Sequence, residues 1–270
     1  TRLSAKLRFL WTIAAVFLLT LVLAPYQAFA HWTGWVDSTS APHLWYRIAA
    51  RILRLRIQNF GTVETGRPLL IAANHVSWTD VIVLGSVFKG SFIAKGEVGT
   101  WPVVGPLARL QGTILVDRQN KRSSGNQVSE LAGSLAGGRA TVLFAEGTTS
   151  DGTSLLPFKT TLFGAARSAI TEAGAEQVLI QPVAIAYTRL GGLPMGRRLR
   201  GLVAWTGDED LLPHLMRLLS LPPVTVELHW GEPVVFTAST DRKQASREVE
   251  ARVRTLFAAA LAAPAPSSRG

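Results

Sequence analysis

Apolar positions along this chain fall into distinct patterns. The first is an unbroken run. Phe9 to Pro25 carries no charge, is almost wholly apolar and follows Arg2, Lys6 and Arg8. Continued through Tyr26, Ala28, Phe29 and Ala30, it reaches the roughly 20 residues that a bilayer-spanning helix needs. Trp32 and Trp35 then fall where an interfacial aromatic belt lies. The second pattern runs from His43 to Arg56, where Arg47, Arg51 and Arg54 recur at helical spacing opposite Trp45, Ile48, Ile52 and Leu55. This predicts an amphipathic helix, either interfacial or packed as an ordinary surface helix. From about residue 58 a third pattern begins, in which short apolar runs alternate with helical stretches, as in an α/β domain.

The expected strands are Leu69–Ala73, Ser91–Ala94, Thr113–Val116, Thr141–Ala145, Val178–Ala186, Leu202–Trp205 and Val224–Trp230. Helices are expected over Thr79–Phe88, Ser123–Ala136, Leu162–Ala173, Leu211–Leu219 and Arg242–Ala262. Residues 99–102 and 191–196 read as loops, and no internal repeat is present. The domain plan is therefore a transmembrane anchor over 1–35, an amphipathic interfacial helix over 36–57, one α/β domain over 58–262 and a disordered tail over 263–270. A cleaved signal peptide competes with the anchor, because Ala28-Phe29-Ala30 is a small-x-small pattern after a basic and an apolar region.

Composition narrows the choice. The 270 residues, 47% of them hydrophobic, suit one domain plus a short membrane segment. Cysteine is absent, which excludes a disulfide framework, a Cys-based metal site and a thiol nucleophile. The net charge of +10 favours an anionic partner. Nucleic acid is not expected, since no zinc-finger spacing, RNP-type strand or basic recognition helix is present. The arginines sit beside apolar segments instead, at 47, 51, 54 and 56 and again at 197, 198 and 200, as suits a surface of anionic lipids.

Four blocks carry candidate chemistry. In Asn74-His75-Val76-Ser77-Trp78-Thr79-Asp80, the histidine falls on a strand-to-helix turn and the aspartate one helical turn later. A carboxylate on one ring nitrogen leaves the other to take a proton from a hydroxyl. Ser77-x-x-Asp80 also reads as a plain capping box. The second block, Phe144-Ala145-Glu146-Gly147-Thr148-Thr149-Ser150-Asp151-Gly152, runs a strand into a hydroxyl-rich turn, either an anion cradle or a simple Asx-type turn. In the third, Lys95 and Arg118 end apolar strands, to meet at one sheet edge or merely to solvate it. The fourth is Ile180-Gln181-Pro182-Val183, whose proline suggests an edge strand. His214 reads as a structural histidine, and His31, His43 and His229 have no partner at a recognisable spacing.

Together, over roughly residues 58 to 235, these blocks resemble the lysophospholipid acyltransferase family, which includes bacterial 1-acylglycerol-3-phosphate acyltransferases. His75 and Asp80 match its His-x4-Asp motif, Lys95, Glu97, Gly105 and Arg118 its second motif, Glu146, Gly147, Thr148 and Ser150 its third, and Pro182 its fourth. The resemblance implies a mixed sheet flanked by helices behind an N-terminal membrane helix. It implies that His75 is the general base and Asp80 its orienting partner, with Lys95, Arg118, Glu146, Gly147, Thr148, Thr149 and Lys159 at the substrate. The acceptor would be a lysolipid and the donor an acyl-carrier protein or coenzyme A thioester, at the cytoplasmic face of a bacterial inner membrane. No metal or bound cofactor is implied.

Two positions depart from the pattern. Ala145 stands where proline is usual, and Thr149 where arginine is usual. Arginine grips a phosphate bidentately, whereas threonine offers one neutral hydroxyl. Either Lys95, Arg118 or Lys159 supplies the charge, or the acceptor lacks a phosphate monoester. The Thr149 form, with Leu156-Pro157-Phe158-Lys159 and Val203-Ala204-Trp205-Thr206-Gly207-Asp208, is similar to a subgroup that includes lyso-ornithine lipid acyltransferases. Rival readings are a membrane-surface binding module without chemistry and a secreted lipid hydrolase. The hydrolase lacks a Gly-x-Ser-x-Gly elbow.

Overall fold

The structure, a computed structural model, describes residues 2–65, 68–116, 133–135, 140–173, 175–206 and 209–262. In chain order the elements are α1 (Arg2–Thr33), α2 (Ser40–Ile52), β1 (Leu55–Phe60), β2 (Leu69–Ala73), α3 (Thr79–Gly85), β3 (Gly90–Lys95), α4 (Val104–Leu110), β4 (Ile114–Val116) and β5 (Ala140–Phe144). There follow α5 (Gly164–Ala173), β6 (Val178–Leu190), β7 (Leu193–Pro194), α6 (Arg197–Val203), α7 (Leu211–Ser220), β8 (Val224–Trp230), β9 (Val234–Phe236) and α8 (Arg242–Ala262). Among the described residues the strands form one mixed sheet in the order β1-β8-β6-β2-β5-β3-β4, with β7 and β9 also paired to β6. The expected α/β class holds. The helix expected over Ser123–Ala136 lies outside the described residues except for 133–135, which are helical. The tail 263–270 lies outside them too.

Strand β2 shows why the sheet sits in the middle. Its alternation sends Leu69, Ile71 and Ala73 into one core with Tyr46, Leu84 and Tyr187. Leu70 and Ala72 enter the other, with Phe163, Phe236 and Val253. Both faces are covered, so the strand reads as a continuous apolar run. Strands β2, β3, β4 and β5 run parallel. Their C-terminal ends therefore share one edge, the usual position for ligands in open α/β sheets.

Several sequence expectations change. The amphipathic helix does not reach residue 57: α2 stops at Ile52, and Leu55–Phe60 pairs with β8 as an outer strand. Arg54 takes a left-handed conformation, φ 60°, which ends the helix and resets the period from 3.6 to 2. The face of α2 that packs inward is Tyr46, Ala49 and Ala50, so α2 is a helix packed on the domain. The strand expected at Leu202–Trp205 is instead the end of α6 and an extended link. Val203 and Ala204 are buried there without a sheet partner.

Pro182 lies in an interior strand rather than an edge strand. On that flank β6 changes partner, from β9 up to Ile180 to β8 from Val183. The Pro182 carbonyl accepts from Gly231 N–H at 2.9 Å, so the flank on which proline lacks a donor faces the β8–β9 connection, where no ladder bond is lost.

Helix α1 is apolar and long enough to cross a membrane, with Lys6–Thr33 almost free of burial. It is nonetheless fastened along its length. Arg8 Nη1 donates to Leu219 O at 2.8 Å, Trp45 Nε1 to Thr20 Oγ1 at 2.9 Å, and Gln27 Nε2 to Ser38 O and Leu110 O at 2.8 and 2.9 Å. Leu10, Trp11, Phe17, Leu18, Leu21 and Val22 face outward. An exposed apolar face of this size suits a membrane or a protein partner.

Candidate active site

The first block closes into a bonded turn. Asn74 extends the β2–β6 ladder through its side chain: Nδ2 donates to Ile185 O at 3.0 Å, and Ile185 N–H donates to Oδ1 at 2.8 Å. This pins the strand end, and the chain turns at His75. Asp80, in the first turn of α3, is fully buried. Its Oδ2 accepts from His75 Nδ1 at 2.8 Å, Val76 N–H at 2.6 Å and Ser77 N–H at 2.9 Å. Its Oδ1 accepts from Tyr187 O–H at 2.7 Å. A buried carboxylate is tolerable only with donors of this number.

The capping-box and catalytic readings thus share one oxygen. Asp80 reaches back to the Ser77 N–H, as a cap does, while the same atom holds the imidazole. The serine half of the box is weak, with Ser77 Oγ 3.4 Å from Thr79 N.

Because Asp80 Oδ2 is an acceptor, Nδ1 of His75 carries the proton and Nε2 presents its lone pair. One face of the ring stacks on Phe144, centroids 3.9 Å apart and planes at 18°. The side chain keeps 18% of its surface open. Burial first, then the Asp80 charge, holds the Tyr187 hydroxyl well above its ordinary value, so Tyr187 remains a donor. Thr79 Oγ1 lies 2.6 Å from that hydroxyl.

Glu146 follows the adjacent strand β5. It is buried, and its two oxygens accept from backbone: Oε2 from His75 N–H at 2.8 Å and Oε1 from Leu156 N–H at 2.7 Å. Burial raises its carboxyl to about 7. The two N–H groups lower it, the Asp80 charge raises it and Arg254 lowers it. Each oxygen of this residue, expected at the substrate, thus takes one backbone N–H and helps to hold the turn. Gly147, at φ 69°, then reverses the chain, and Ser150 N–H donates to His75 O at 2.7 Å. Gly152, at φ 71°, passes so close to the turn that a Cβ there would lie 3.0 Å from Val76 Cγ1.

Other expected residues are arranged more loosely. Thr148 is exposed and Thr149 half-buried, and neither side chain has a hydrogen bond among the described residues. Lys159 bonds through its N–H to Ala145 O at 2.8 Å, with its side chain exposed. Lys95 is exposed at the end of β3, two strands from β2 and so roughly 10 Å across the sheet. Arg118 lies outside the described residues. No group of three or more His, Asp or Glu side chains among the described residues is placed to hold a metal ion.

Sequence reasoning missed Tyr187, because the expected strand stopped at Ala186. The alternation Val183, Ile185, Tyr187, all in one core, was the available signal. It also missed the wall built by α6 and α7. Trp205 N–H donates to Val76 O at 2.9 Å. Trp78 Nε1 donates to His214 Nδ1 at 2.9 Å, and His214 Nε2 lies 3.2 and 3.1 Å from Val203 O and Ala204 O. His214 is fully buried and bonded at both nitrogens, as a structural histidine is.

Comparison with known proteins agrees with this geometry. Residues 54–186 match the acyltransferase family. Over 257 residues, 94% of this chain and 96% of that protein, the sequence is 49% identical to the lyso-ornithine lipid O-acyltransferase of Brucella abortus (strain 2308). The chain belongs to the acyltransferase family. This acyltransferase is also 43% identical over 240 residues to the lyso-ornithine lipid O-acyltransferase of Rhizobium meliloti (strain 1021), covering 89% of this chain and 82% of that one. It is 33% identical over 203 residues to the 1-acyl-sn-glycerol-3-phosphate acyltransferase of Neisseria gonorrhoeae, covering 73% and 74%. In fold it is similar to the crystal structure of the 1-acyl-sn-glycerophosphate acyltransferase from Thermotoga maritima, with a TM-score of 0.68 at 19% identity over 97% of this chain and 100% of that one.

Proposed function

We propose that this acyltransferase moves a fatty acyl group from an acyl-carrier protein or coenzyme A thioester onto the free hydroxyl of a lysolipid. The single observation that carries the reading is the open Nε2 of His75, opposite an Nδ1 fixed by the buried Asp80 carboxylate. An alcohol is a poor nucleophile near pH 7 unless a base takes its proton. His75 Nε2 accepts that proton as the hydroxyl oxygen attacks the thioester carbonyl. The Asp80 charge stabilises the resulting imidazolium. When the carbon–sulfur bond breaks, the imidazolium returns the proton to the departing thiolate. The step needs no metal and no bound cofactor beyond the donor itself.

Lyso-ornithine lipid is the proposed acceptor. Two relatives above 40% identity carry that name, and the neutral Thr149 side chain stands where a phosphate-gripping arginine is usual. The 33% identity to a 1-acyl-sn-glycerol-3-phosphate acyltransferase supports lysophosphatidic acid as the second acceptor. The exposed apolar face of α1 supports action at a membrane, placed here at the cytoplasmic face of the inner membrane, where activated acyl donors are made.

The test is an acceptor panel, lyso-ornithine lipid against 1-acylglycerol-3-phosphate, with each donor. His75→Ala is expected to lower kcat by about 10³-fold, within the range general-base removal produces, while membrane binding persists. Normal turnover in that variant would leave a binding module or a different base. A mature chain beginning at His31 would remove the anchor.

A further inference from the structure

The second block lacks the arginine that its resemblance leads one to expect, and the structure brings other arginines to the same place. Helix α6 begins with Arg197-Arg198-Leu199-Arg200. The Arg200 Cβ lies 3.8 Å from where a Cβ on Gly152 would be, and Val76 Cγ1 lies 3.0 Å from the same point. Arg200, the Thr149–Gly152 loop and the His75 turn are therefore successive neighbours. The bond from Trp205 N–H to Val76 O fixes α6 to the turn.

The arginines differ in setting. Arg197 and Arg198 are exposed, while Arg200 is half-buried and its guanidinium holds one long bond among the described residues, Nε to Tyr187 O at 3.4 Å. Burial, and then the charge of Arg197, keep the Arg200 guanidinium below its ordinary value. Like charges thus act on each other where solvent is partly excluded from one of them. Neither guanidinium forms an ion pair among the described residues. Asp151 senses Arg197 but is bonded to Thr153, through its N–H at 2.8 Å and its Oγ1 at 2.8 and 2.7 Å. A partly desolvated cation without a counter-charge is costly unless an anion arrives.

We propose that Arg197 and Arg200 form the anion-binding part of the acceptor site, holding the anionic group in the head of the lysolipid whose hydroxyl meets His75. This rests on the acyl-transfer reading above. The shared ligand chemistry is a carboxylate or a phosphate monoester, either of which a guanidinium takes bidentately. The site replaces the charge missing at Thr149 from the opposite side of the loop, and the neutral loop hydroxyls of Thr148 and Thr149 remain free for the rest of the head. Arg198, exposed, is left for the membrane surface.

The experiment measures KM and kcat of the full-length membrane-bound enzyme for lyso-ornithine lipid, for its carboxyl methyl ester and for 1-acylglycerol-3-phosphate. Arg197→Ala is expected to raise KM for the acceptors that carry a free carboxylate or phosphate roughly tenfold, the factor that about 1.4 kcal/mol of binding provides, with kcat nearly unchanged. Wild type and Arg197→Ala should have equal KM for the methyl ester if the carboxylate is the ligand. A rise confined to 1-acylglycerol-3-phosphate would assign the pair to phosphate. Arg200→Lys should lose less than Arg200→Ala at equal melting temperature, which separates charge from packing. Unchanged KM in Arg197→Ala overturns the proposal, and so does an equal loss with the methyl ester. It is also overturned if binding to phosphatidylglycerol vesicles falls in step with activity, since the arginines would then serve adsorption. Failure of the wild type to acylate any of these acceptors overturns the acyl-transfer reading, and this proposal with it.

Discussion

The two sides of the candidate site are built by opposite rules. On the His75 side the polar groups around the imidazole are bonded, and its own Nε2 alone is left open. Asp80 gathers four donors, Glu146 bonds two backbone N–H groups, and Trp78 is tied to His214. On the loop side Thr148 and Thr149 bond to nothing among the described residues, and Lys159 extends into solvent. The difference separates two roles. A base must be held within fractions of an ångström to transfer a proton. A head-group site must keep its polar atoms unspent until the ligand arrives. In the proposed function, chemistry belongs to the satisfied side and acceptor choice to the unsatisfied one.

The largest expected effect tests the satisfied side. In Asp80→Asn the amide oxygen can keep the three N–H groups of the turn, and the amide NH₂ can face Tyr187. The Tyr187 hydroxyl then turns to accept, donating to Thr79 Oγ1, 2.6 Å away. Geometry survives and only the charge is lost. A kcat fall of about 10⁴-fold is expected, of the order seen when a histidine loses its carboxylate partner, with the acceptor KM unchanged. A large KM change, with kcat preserved, would erase the division between the two sides.

A smaller effect tests whether Glu146 belongs to the satisfied side. Burial lifts its carboxyl from 4.5 to about 7. Between those values the folded chain keeps a proton that the unfolded chain has released. Unfolding therefore releases a proton, and stability falls as pH rises from 4.5 towards 7. The contribution is fully present below the lower value and gone above the upper one. Its slope is at most about 1.4 kcal/mol per pH unit. Glu146→Gln sets an amide donor against one backbone N–H, so it lowers stability overall, but it should flatten the slope. Melting temperatures of both proteins across this window give the difference, and parallel slopes would place Glu146 in water instead.

How much of this was legible in the sequence follows the same line. Helix α8 and strands β2 and β8 were read with their observed bounds, because a long helical run, a fully apolar strand and a strictly alternating one fix their own limits. His75 and Asp80 were legible because one strand-to-helix turn contains both. Tyr187 was not, since its role arises only when β6 is laid beside β2. Glu146 was found as a candidate at the substrate, but its burial and its bonds to the His75 and Leu156 N–H groups are features a sequence does not show. Pro182 misled because an interior strand can change partners midway. The arginines of α6 were noticed as charge and read as lipid-facing, because only the fold places residue 200 beside residue 152.

The smallest effect bears on the unsatisfied side. Thr149 is half-buried, with its hydroxyl unbonded. Thr149→Arg adds a guanidinium to a loop whose neighbour Ser150 is bonded to His75 O. It should shift acceptor ranking towards 1-acylglycerol-3-phosphate by a few-fold in KM, since one exposed charge-assisted bond contributes about 1 kcal/mol or less. Its coupling to Arg197 is more informative than its size. If both side chains serve the same anion, Thr149→Arg should do no more than this few-fold in the wild type, where Arg197 and Arg200 already hold that charge. In Arg197→Ala it should restore much of the lost affinity, a non-additivity that independent sites do not show. Additive effects in the double variant would mean that the two positions meet different parts of the lipid, and the loop side would then divide into two sites.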